Sequence, residues 1–355
     1  MKIGIETQVL TSTIRGVGYY VFSLIEALQK QNQELLSFSS KKNHPKVDGV
    51  TEHFYSQPPP IPLVNSVLAL FRSSIFEKAD LIHFPAPKIY YGKRPNVPVV
   101  MTVHDLMALR FPKLFPKRTH ILMKCLLLRY LKEADLICAV SEATKKEILH
   151  YYPISPEKIH VIHLPLLSRK REVSYEKEPF IFYVGSFEPR KNLPRIIEVF
   201  ALLKKEGFPH KLILAGKEQG THQIPWDLIK KLGIEKEVIH KGYVTEEEKD
   251  HLFQKAALFI WPSLYEGFGL PLLEAMAFGT PILTSNNSSI PEVVGDAAEC
   301  VDPEDTGAIF RGALKILNSQ EHAHTLMAKG AERAKMFSIE EFGKKHVELY
   351  QSVLN

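Results

Sequence analysis

Apolar residues in this chain gather in short continuous runs, separated by longer stretches of helical spacing. In the first half the runs are Lys2–Glu6, Ala79–Phe84, Val97–Val103, Ala134–Val140 and Ile159–Leu164. In the second half they are Phe180–Gly185, Lys211–Ala215, Val238–Gly242, Leu258–Trp261, Pro281–Thr284 and Glu299–Val301. Most are unbroken Val/Ile/Leu/Phe runs rather than alternations of apolar and polar residues. A strand covered on both faces has this pattern, which predicts parallel sheets. The helical stretches between runs supply the crossovers that parallel neighbours need. The expected class is α/β.

The rhythm pauses once, in the charged stretch 168–179, which closes on Pro179 and reads as an exposed linker. The expected organisation is two tandem Rossmann-like, doubly wound domains, 1–167 and 180–337. They would face a central cleft at the carboxyl ends of their strands, where such folds bind ligands. A final helix is predicted over 338–354, opening with Ser338 and Glu341 at capping-box spacing. Phe342, His346, Leu349, Tyr350 and Val353 lie near one face of it, and it is expected to pack back on the first domain.

The length of 355 residues fits two domains at roughly 150 residues each. With 45% apolar and 24% charged residues, a disordered chain is excluded. The three cysteines, Cys125, Cys138 and Cys300, form no CxxC pair. Neither a zinc ribbon nor a disulfide framework is supported, and a reducing, cytoplasmic setting is expected. No apolar run approaches the roughly 18 residues of a membrane span. Met1–Ile5 begins as a strand, so no signal peptide is expected.

The net charge of +5 divides unevenly: residues 1–168 carry 21 Lys/Arg and 13 Asp/Glu, residues 169–355 carry 24 and 27. Arg110, Lys113, Lys117, Arg118, Lys124, Arg129 and Lys132 form a strip with no acid among them. Such a strip attracts phosphates, nucleic acid or anionic lipid, or is simply a solvated helix face. It has little aromatic interleaving and no recognised nucleic-acid motif, so no nucleic-acid partner is expected.

Candidate chemistry concentrates between Pro262 and Gly279. A strand ends near Trp261, a glycine-containing loop follows, Pro271 suits the first turn of a helix and Gly279 its end. The backbone N–H groups of Phe268, Gly269 and Leu270 would then point out of a helix N-terminus, an anion site suited to phosphate. Glu266 in the loop and Glu274 on the helix stand seven residues apart. Their carboxylates can accept from the hydroxyls of a sugar and a ribose. Alternatively Glu266 caps the helix and Glu274 pairs with a surface cation. The glycine loop between them favours the first reading.

This segment resembles the Glu-x7-Glu signature of the retaining family 4 glycosyltransferases, which have the GT-B fold. The flanking Gly242-Tyr-Val and Ser285-Asn-Asn-Ser-Ser-Ile-Pro291-Glu-Val-Val-Gly295 match too, and the resemblance runs over nearly the whole chain. Within the family the chain looks closest to mannosyltransferases of bacterial polysaccharide pathways. The resemblance implies a hexosyltransferase that takes a GDP- or UDP-linked sugar, GDP-mannose by preference. It also implies a saccharide or lipid-linked acceptor, retention of anomeric configuration, and no cofactor beyond the donor.

A second site follows the run ending at Gly185. Arg190 and Lys191 stand where a strand turns into a helix, and a guanidinium fork beside an ammonium can neutralise a diphosphate. By resemblance Lys191 is the diphosphate-binding lysine. Many relatives carry arginine directly after the strand's glycine; here that position is Ser186, and the arginine role passes to Arg190. In the first domain Gly16 and Gly18 precede an amphipathic helix without forming a dinucleotide fingerprint. In look-alikes this loop touches the donor.

His104 lies at the carboxyl end of a strand, and the family resemblance makes it a donor-sugar contact. Asp105 either joins it, holds its tautomer or bonds to backbone. Ser141 reads as a helix N-cap. Relatives often carry Pro-Asn-Gly-Val-Asp where this chain has Val161–Leu167, so no site residue is taken from that stretch. No Asp-x-Asp stands in a convincing loop, and a metal ion is not implied. The basic strip, with Ile121–Met123 and Leu126–Leu128, suggests peripheral contact with an anionic membrane; the leucines alternatively face the core. A nucleotide-sugar-binding partner of an assembly complex, lacking transferase activity, is the rival from another class. An epimerase or a phosphorylase is a further alternative, though no lysine stands in a recognisable pyridoxal phosphate context.

Overall fold

The computed structural model describes residues 1–10, 16–39, 48–54, 76–87, 94–112, 117–167, 173–218 and 223–354, with backbone alone over 117–123. The chain divides into two compact units, Met1–Leu167 with Ser338–Asn355, and Ser168–Phe337.

The first unit holds a seven-stranded sheet in the order β3-β2-β1-β4-β5-β6-β7. Its strands are β1 Lys2–Glu6, β2 Glu34–Ser39, β3 Val50–Phe54, β4 Leu81–Phe84, β5 Val99–Val103, β6 Leu136–Ala139 and β7 Ile159–Val161. Every pairing is parallel. β4 and β5 are buried along their whole length, as unbroken apolar runs predict. β2 and β3 fall outside the predicted runs. β2 mixes Leu35, Leu36 and Phe38 with serines, and β3 is a partly exposed edge strand with no buried residue.

The second unit holds a six-stranded parallel sheet, in the order β10-β9-β8-β11-β12-β13. Its strands are β8 Glu178–Val184, β9 Lys211–Ala215, β10 Val238–Gly242, β11 Ala256–Trp261, β12 Ile282–Ser285 and β13 Glu299–Val301. β8 begins two residues ahead of the predicted Phe180. Before it, the described part of the charged stretch, residues 173–177, is largely exposed but anchored: Val173 lies against Gly279, and Lys177 Nζ donates to the Gln254 carbonyl at 2.8 Å; residues 168–172 lie outside the described residues. In each sheet the chain reverses its winding direction once, between β1 and β4 and between β8 and β11. Ligands of open α/β sheets bind at the carboxyl ends of the strands at such reversals.

The last helix, Ile339–Leu354, belongs to the first unit and buries Phe342, Gly343, His346, Leu349 and Tyr350. Ser338 Oγ accepts the Glu341 amide at 3.1 Å, the forward half of the expected cap. His346 and Tyr350 enter a buried polar chain. Tyr350 Oη meets His83 Nδ1 at 2.5 Å, His83 Nε2 meets Thr102 Oγ1 at 2.7 Å, Thr102 meets Tyr20 Oη at 2.7 Å, and Tyr20 meets His346 Nε2 at 3.0 Å. The chain ends where His346 Nδ1 donates to the Phe342 carbonyl at 2.9 Å. A carbonyl only accepts, so Nδ1 carries the proton and Nε2 must accept, which makes Tyr20 the donor to it. Each group thereby escapes the cost of burial without a partner.

One surface expectation changes. Leu127 is buried in the first unit's core, and Leu126 and Leu128 pack against that core. The second of the two readings holds for these leucines. Lys113 and the side chains of Lys117, Arg118, Ile121, Leu122 and Met123 lie outside the described residues. Arg110, Lys124 and Lys132 are exposed, and Arg129 pairs with Glu133 at 2.8 Å.

Candidate active site

In the second unit two loops leave adjacent strands at the reversal point. The first leaves β8 through Gly185, makes a one-turn helix at Pro189–Lys191, and enters the helix Leu193–Lys205 at Asn192. Pro189 fixes the backbone at the start of that turn. Asn192 takes a left-handed conformation, φ 63°, and Nδ2 ties it to the Pro262 and Pro303 carbonyls at 3.0 and 2.7 Å. Arg190 and Lys191 are therefore held on a braced corner rather than on a free loop.

The second loop leaves β11 and carries Glu266 to the helix Leu270–Ala277. Gly269 caps that helix at φ 115°, a conformation a side chain resists. Ser288 Oγ accepts the Glu266 amide and donates to its carbonyl, both at 2.9 Å. Ser289 Oγ reaches the Glu266 and Phe268 carbonyls at 2.9 and 3.0 Å. The Asn-Asn-Ser-Ser segment after β12 is thus a brace for the glutamate loop.

The loops meet at Glu266. Its Oε1 accepts from Lys191 Nζ at 2.5 Å, and its Oε2 from an Arg190 terminal nitrogen, Nη1, at 2.7 Å. Lys191 also lies over the Trp261 ring, 4.3 Å from the centroid. Burial lowers the Lys191 ammonium from its ordinary range, and Glu266 opposes that shift. Burial also works against the Arg190 charge, but Glu266 and Glu188 outweigh it and hold the guanidinium above its ordinary range.

Both accepting and donating capacity remain. A carboxylate has about four lone-pair sites, and these two cations take one each, leaving positions for hydroxyls. Only one of the three Lys191 protons goes to an oxygen of the described residues. The Gly269 and Leu270 amides at the helix start also meet no acceptor among the described residues. Cations and open amides side by side suit an anion with several oxygens.

The sequence-predicted residues divide into groups. Arg190, Lys191 and Glu266 come together, with Gly269 and Leu270 following in the same loop and helix start. Phe268 adjoins them, but its ring is buried against Phe337, so only its backbone can serve a ligand. Glu274 lies on the same helix and pairs with Lys249 Nζ at 2.7 Å. The cation expected in the alternative reading is therefore present.

In the first unit, Gly16 caps the helix Val17–Lys30 at φ 48° and Gly18 is buried in its first turn. Two residues on, the Tyr20 ring meets the His104 ring edge-on, centroids 4.9 Å apart. His104 Nε2 donates to the Pro85 carbonyl at 2.7 Å, which leaves Nδ1 as the acceptor. Burial lowers the imidazole from its ordinary range, with the Pro85 bond opposing, so it is neutral at pH 7. Asp105 is exposed and accepts the Met107 amide at 3.1 Å, the backbone alternative. Ser141 Oγ accepts the Thr144 amide at 3.0 Å as an N-cap.

Sequence reasoning missed the site's supports: Glu188 beside Arg190, Trp261 beneath Lys191, the Ser288–Ser289 brace, and Lys249 beside Glu274. The serines lay within a recognised segment, but nothing in their spacing points across to Glu266. Among the described residues no cluster of three or more His, Cys, Asp or Glu side chains is placed to hold a metal ion.

Residues 14–166 match the family model described as Glycosyltransferase Family 4, and residues 167–333 match Glycosyl transferases group 1. The chain carries a family 4 and a group 1 glycosyltransferase domain in tandem. This glycosyltransferase is 29% identical to O-antigen chain mannosyltransferase B of Escherichia coli, over 99% of this chain and 100% of the relative. Its fold is that of solved GT-B enzymes. Sucrose-phosphate synthase from Thermosynechococcus elongatus superposes with a TM-score of 0.77 at 18% identity, over 99% of this chain and 98% of the other. The Anabaena protein HepE, solved in complex with UDP and glucose, gives 0.75 at 17% identity, over 99% and 100%.

Proposed function

We propose that this glycosyltransferase moves mannose from a nucleotide sugar, GDP-mannose by preference, to a saccharide or lipid-linked acceptor in polysaccharide or glycolipid assembly. The observation that carries the reading is the meeting of Lys191, Arg190 and Glu266 beside the open amides of Gly269 and Leu270. The names of several relatives support mannose, among them O-antigen chain mannosyltransferase RfbU of Salmonella typhimurium, 27% identical over 66% of each chain.

Transfer breaks the bond between the anomeric carbon and the diphosphate oxygen and forms one to an acceptor oxygen. Negative charge gathers on the departing diphosphate while the acceptor loses a proton. Preorganised positive charge at the leaving group is the largest lever a site can apply. Lys191, Arg190 and the helix start would apply it without a bound metal. Glu266 would hold hydroxyls of the donor sugar, Glu274 those of the ribose, and neutral His104 would accept from the sugar through Nδ1. Gly16 and Gly18 would let backbone approach the donor. Retention follows from the family resemblance, with the acceptor proton passing to the leaving phosphate oxygen on the same face.

A thermal-shift panel of nucleotides and nucleotide sugars tests the donor, because a ligand of the folded state raises its apparent stability. GDP-mannose should raise the melting temperature and support transfer. A shift with UDP-sugars and none with GDP-mannose contradicts the mannose assignment. Binding without turnover across an acceptor panel would favour the non-catalytic partner. Among the described residues, contact with anionic membrane rests on exposed cations such as Arg110, Lys124 and Lys132. Equal, negligible flotation with anionic and neutral vesicles would remove it.

A further inference from the structure

Glu188 is assigned no contact with the donor, yet both its oxygens are engaged. Oε1 accepts from Ser186 Oγ and Oε2 from Arg190 Nε, each at 2.8 Å. Arg190 presents Nη1 to Glu266 at 2.7 Å and to the Tyr265 carbonyl at 3.1 Å. A guanidinium is planar, so fixing Nε on one side and Nη1 on the other fixes the whole fork. Its remaining terminal nitrogen, Nη2, meets no hydrogen-bond acceptor among the described residues. Pro189, between the two residues, removes most of the backbone freedom that would let their spacing vary.

We propose that Glu188, itself anchored by Ser186, is a positioning residue that sets the direction in which Arg190 offers its unengaged Nη2 edge to the leaving diphosphate. The proposal rests on the diphosphate reading of this site. Without Glu188 the side chain keeps its contacts to Glu266 and Tyr265 but can pivot about Nη1. The Nη2 edge then swings away from its target. Burial pushes the Glu188 carboxyl up, but Arg190, with the Ser186 hydroxyl, holds it below the usual carboxylate range, so it is ionised at neutral pH.

The test is a double-mutant cycle on donor turnover with E188A, R190A and the pair, with E188Q as the conservative variant. E188A should lower kcat by about tenfold to a hundredfold, the cost of a misplaced group. E188Q, which keeps an acceptor for Nε, should restore most of that loss. A residue that acts through another has no effect once the other is gone, so E188A should change the R190A enzyme by less than about twofold. If E188A does not fold, E188D enters the same cycle, since it is one methylene too short to span Ser186 and Arg190 together. Additive losses in the double variant, or no rescue by E188Q, overturn the proposal. Calorimetry with UDP and GDP separates the two levels. If the wild type binds neither, or K191A binds as the wild type does, the diphosphate reading falls and takes the proposal with it. If that reading holds and the cycle is additive, the role of Glu188 alone falls.

Discussion

Lys191 Nζ and Glu266 Oε1 lie 2.5 Å apart although 75 residues separate them in sequence. The parallel pairing of β8 with β11 makes this possible, because it brings the ends of two distant strands side by side. Each side chain is only 8% exposed. A buried pair of this kind contributes little net stability over an apolar one, but losing one partner is costly. The contact therefore reads as a functional arrangement whose stability depends on both members.

Glu266→Ala leaves the Lys191 and Arg190 charges without their shared carboxylate. Unfolding in urea should show a loss of about 3–5 kcal/mol, the range for breaking a buried pair from one side. Glu266→Gln, which keeps acceptor and donor atoms, should lose less. A Glu266→Ala protein as stable as the wild type would mean that water already screens the cluster.

Acid should weaken the first unit through His346. Burial holds its imidazole down to about 4, against an ordinary value near 6.5, with the Phe342 bond opposing. Between those values the unfolded chain binds a proton that the folded chain refuses. Stability therefore falls as pH drops from about 6.5 to about 4, by roughly 3 kcal/mol from this group. Above about 6.5 it contributes no slope. His83, also lowered well below its ordinary range by burial, adds to the effect. Unfolding free energies across this range should give a shallower slope for His346→Gln. Equal slopes would place the titration elsewhere.

Gly343 lies where the last helix crosses Val17–Lys30. A methyl there would sit 2.8 Å from the Ala27 carbonyl oxygen, a backbone atom that cannot rotate aside. Gly343→Ala gains about 1 kcal/mol of helix propensity, while overpacking costs about 1–3 kcal/mol. Because the obstacle is backbone, the cost should win, and denaturant unfolding should show a net loss. A more stable variant would show that the two helices separate freely.

Lys249→Met removes the ionic partner of Glu274 without touching Lys191 or Arg190. If Glu274 holds a ribose in both ground and transition states, donor KM should rise about three- to tenfold with kcat nearly unchanged, the signature of lost uniform binding. A fall in kcat at constant KM would give Glu274 a part in the chemical step.

The fold was legible where apolar residues run on without a break. β1 and β9, buried in all but their first residue, begin and end where the runs predict; so do β10 and β13, which bury one residue and none, and the last helix begins one residue later than expected, after its Ser338 cap. β2 and β3 were not, because a serine-rich strand and a polar edge strand lack the continuous run that marks a two-sided strand. The site was legible in its charged members, since Glu266, Arg190 and Lys191 stand at strand ends beside glycines. Its supports were not. Ser288 finds Glu266 across β11 and β12, and Lys249 finds Glu274 from a neighbouring helix. Such pairings are set by tertiary packing, which leaves no periodic trace in one sequence.

In the proposed reading, Lys191 and the adjoining helix start bind the diphosphate of a nucleotide sugar without a metal. The decisive measurement is calorimetric titration of GDP and UDP into wild-type and Lys191→Ala protein, with EDTA present throughout. One of the two nucleotides should bind the wild type in EDTA, and Lys191→Ala should weaken that binding by about tenfold to a hundredfold, as expected for loss of a charge-assisted bond. Equal affinity in the variant, or wild-type binding that appears only when a divalent cation is restored, would contradict it.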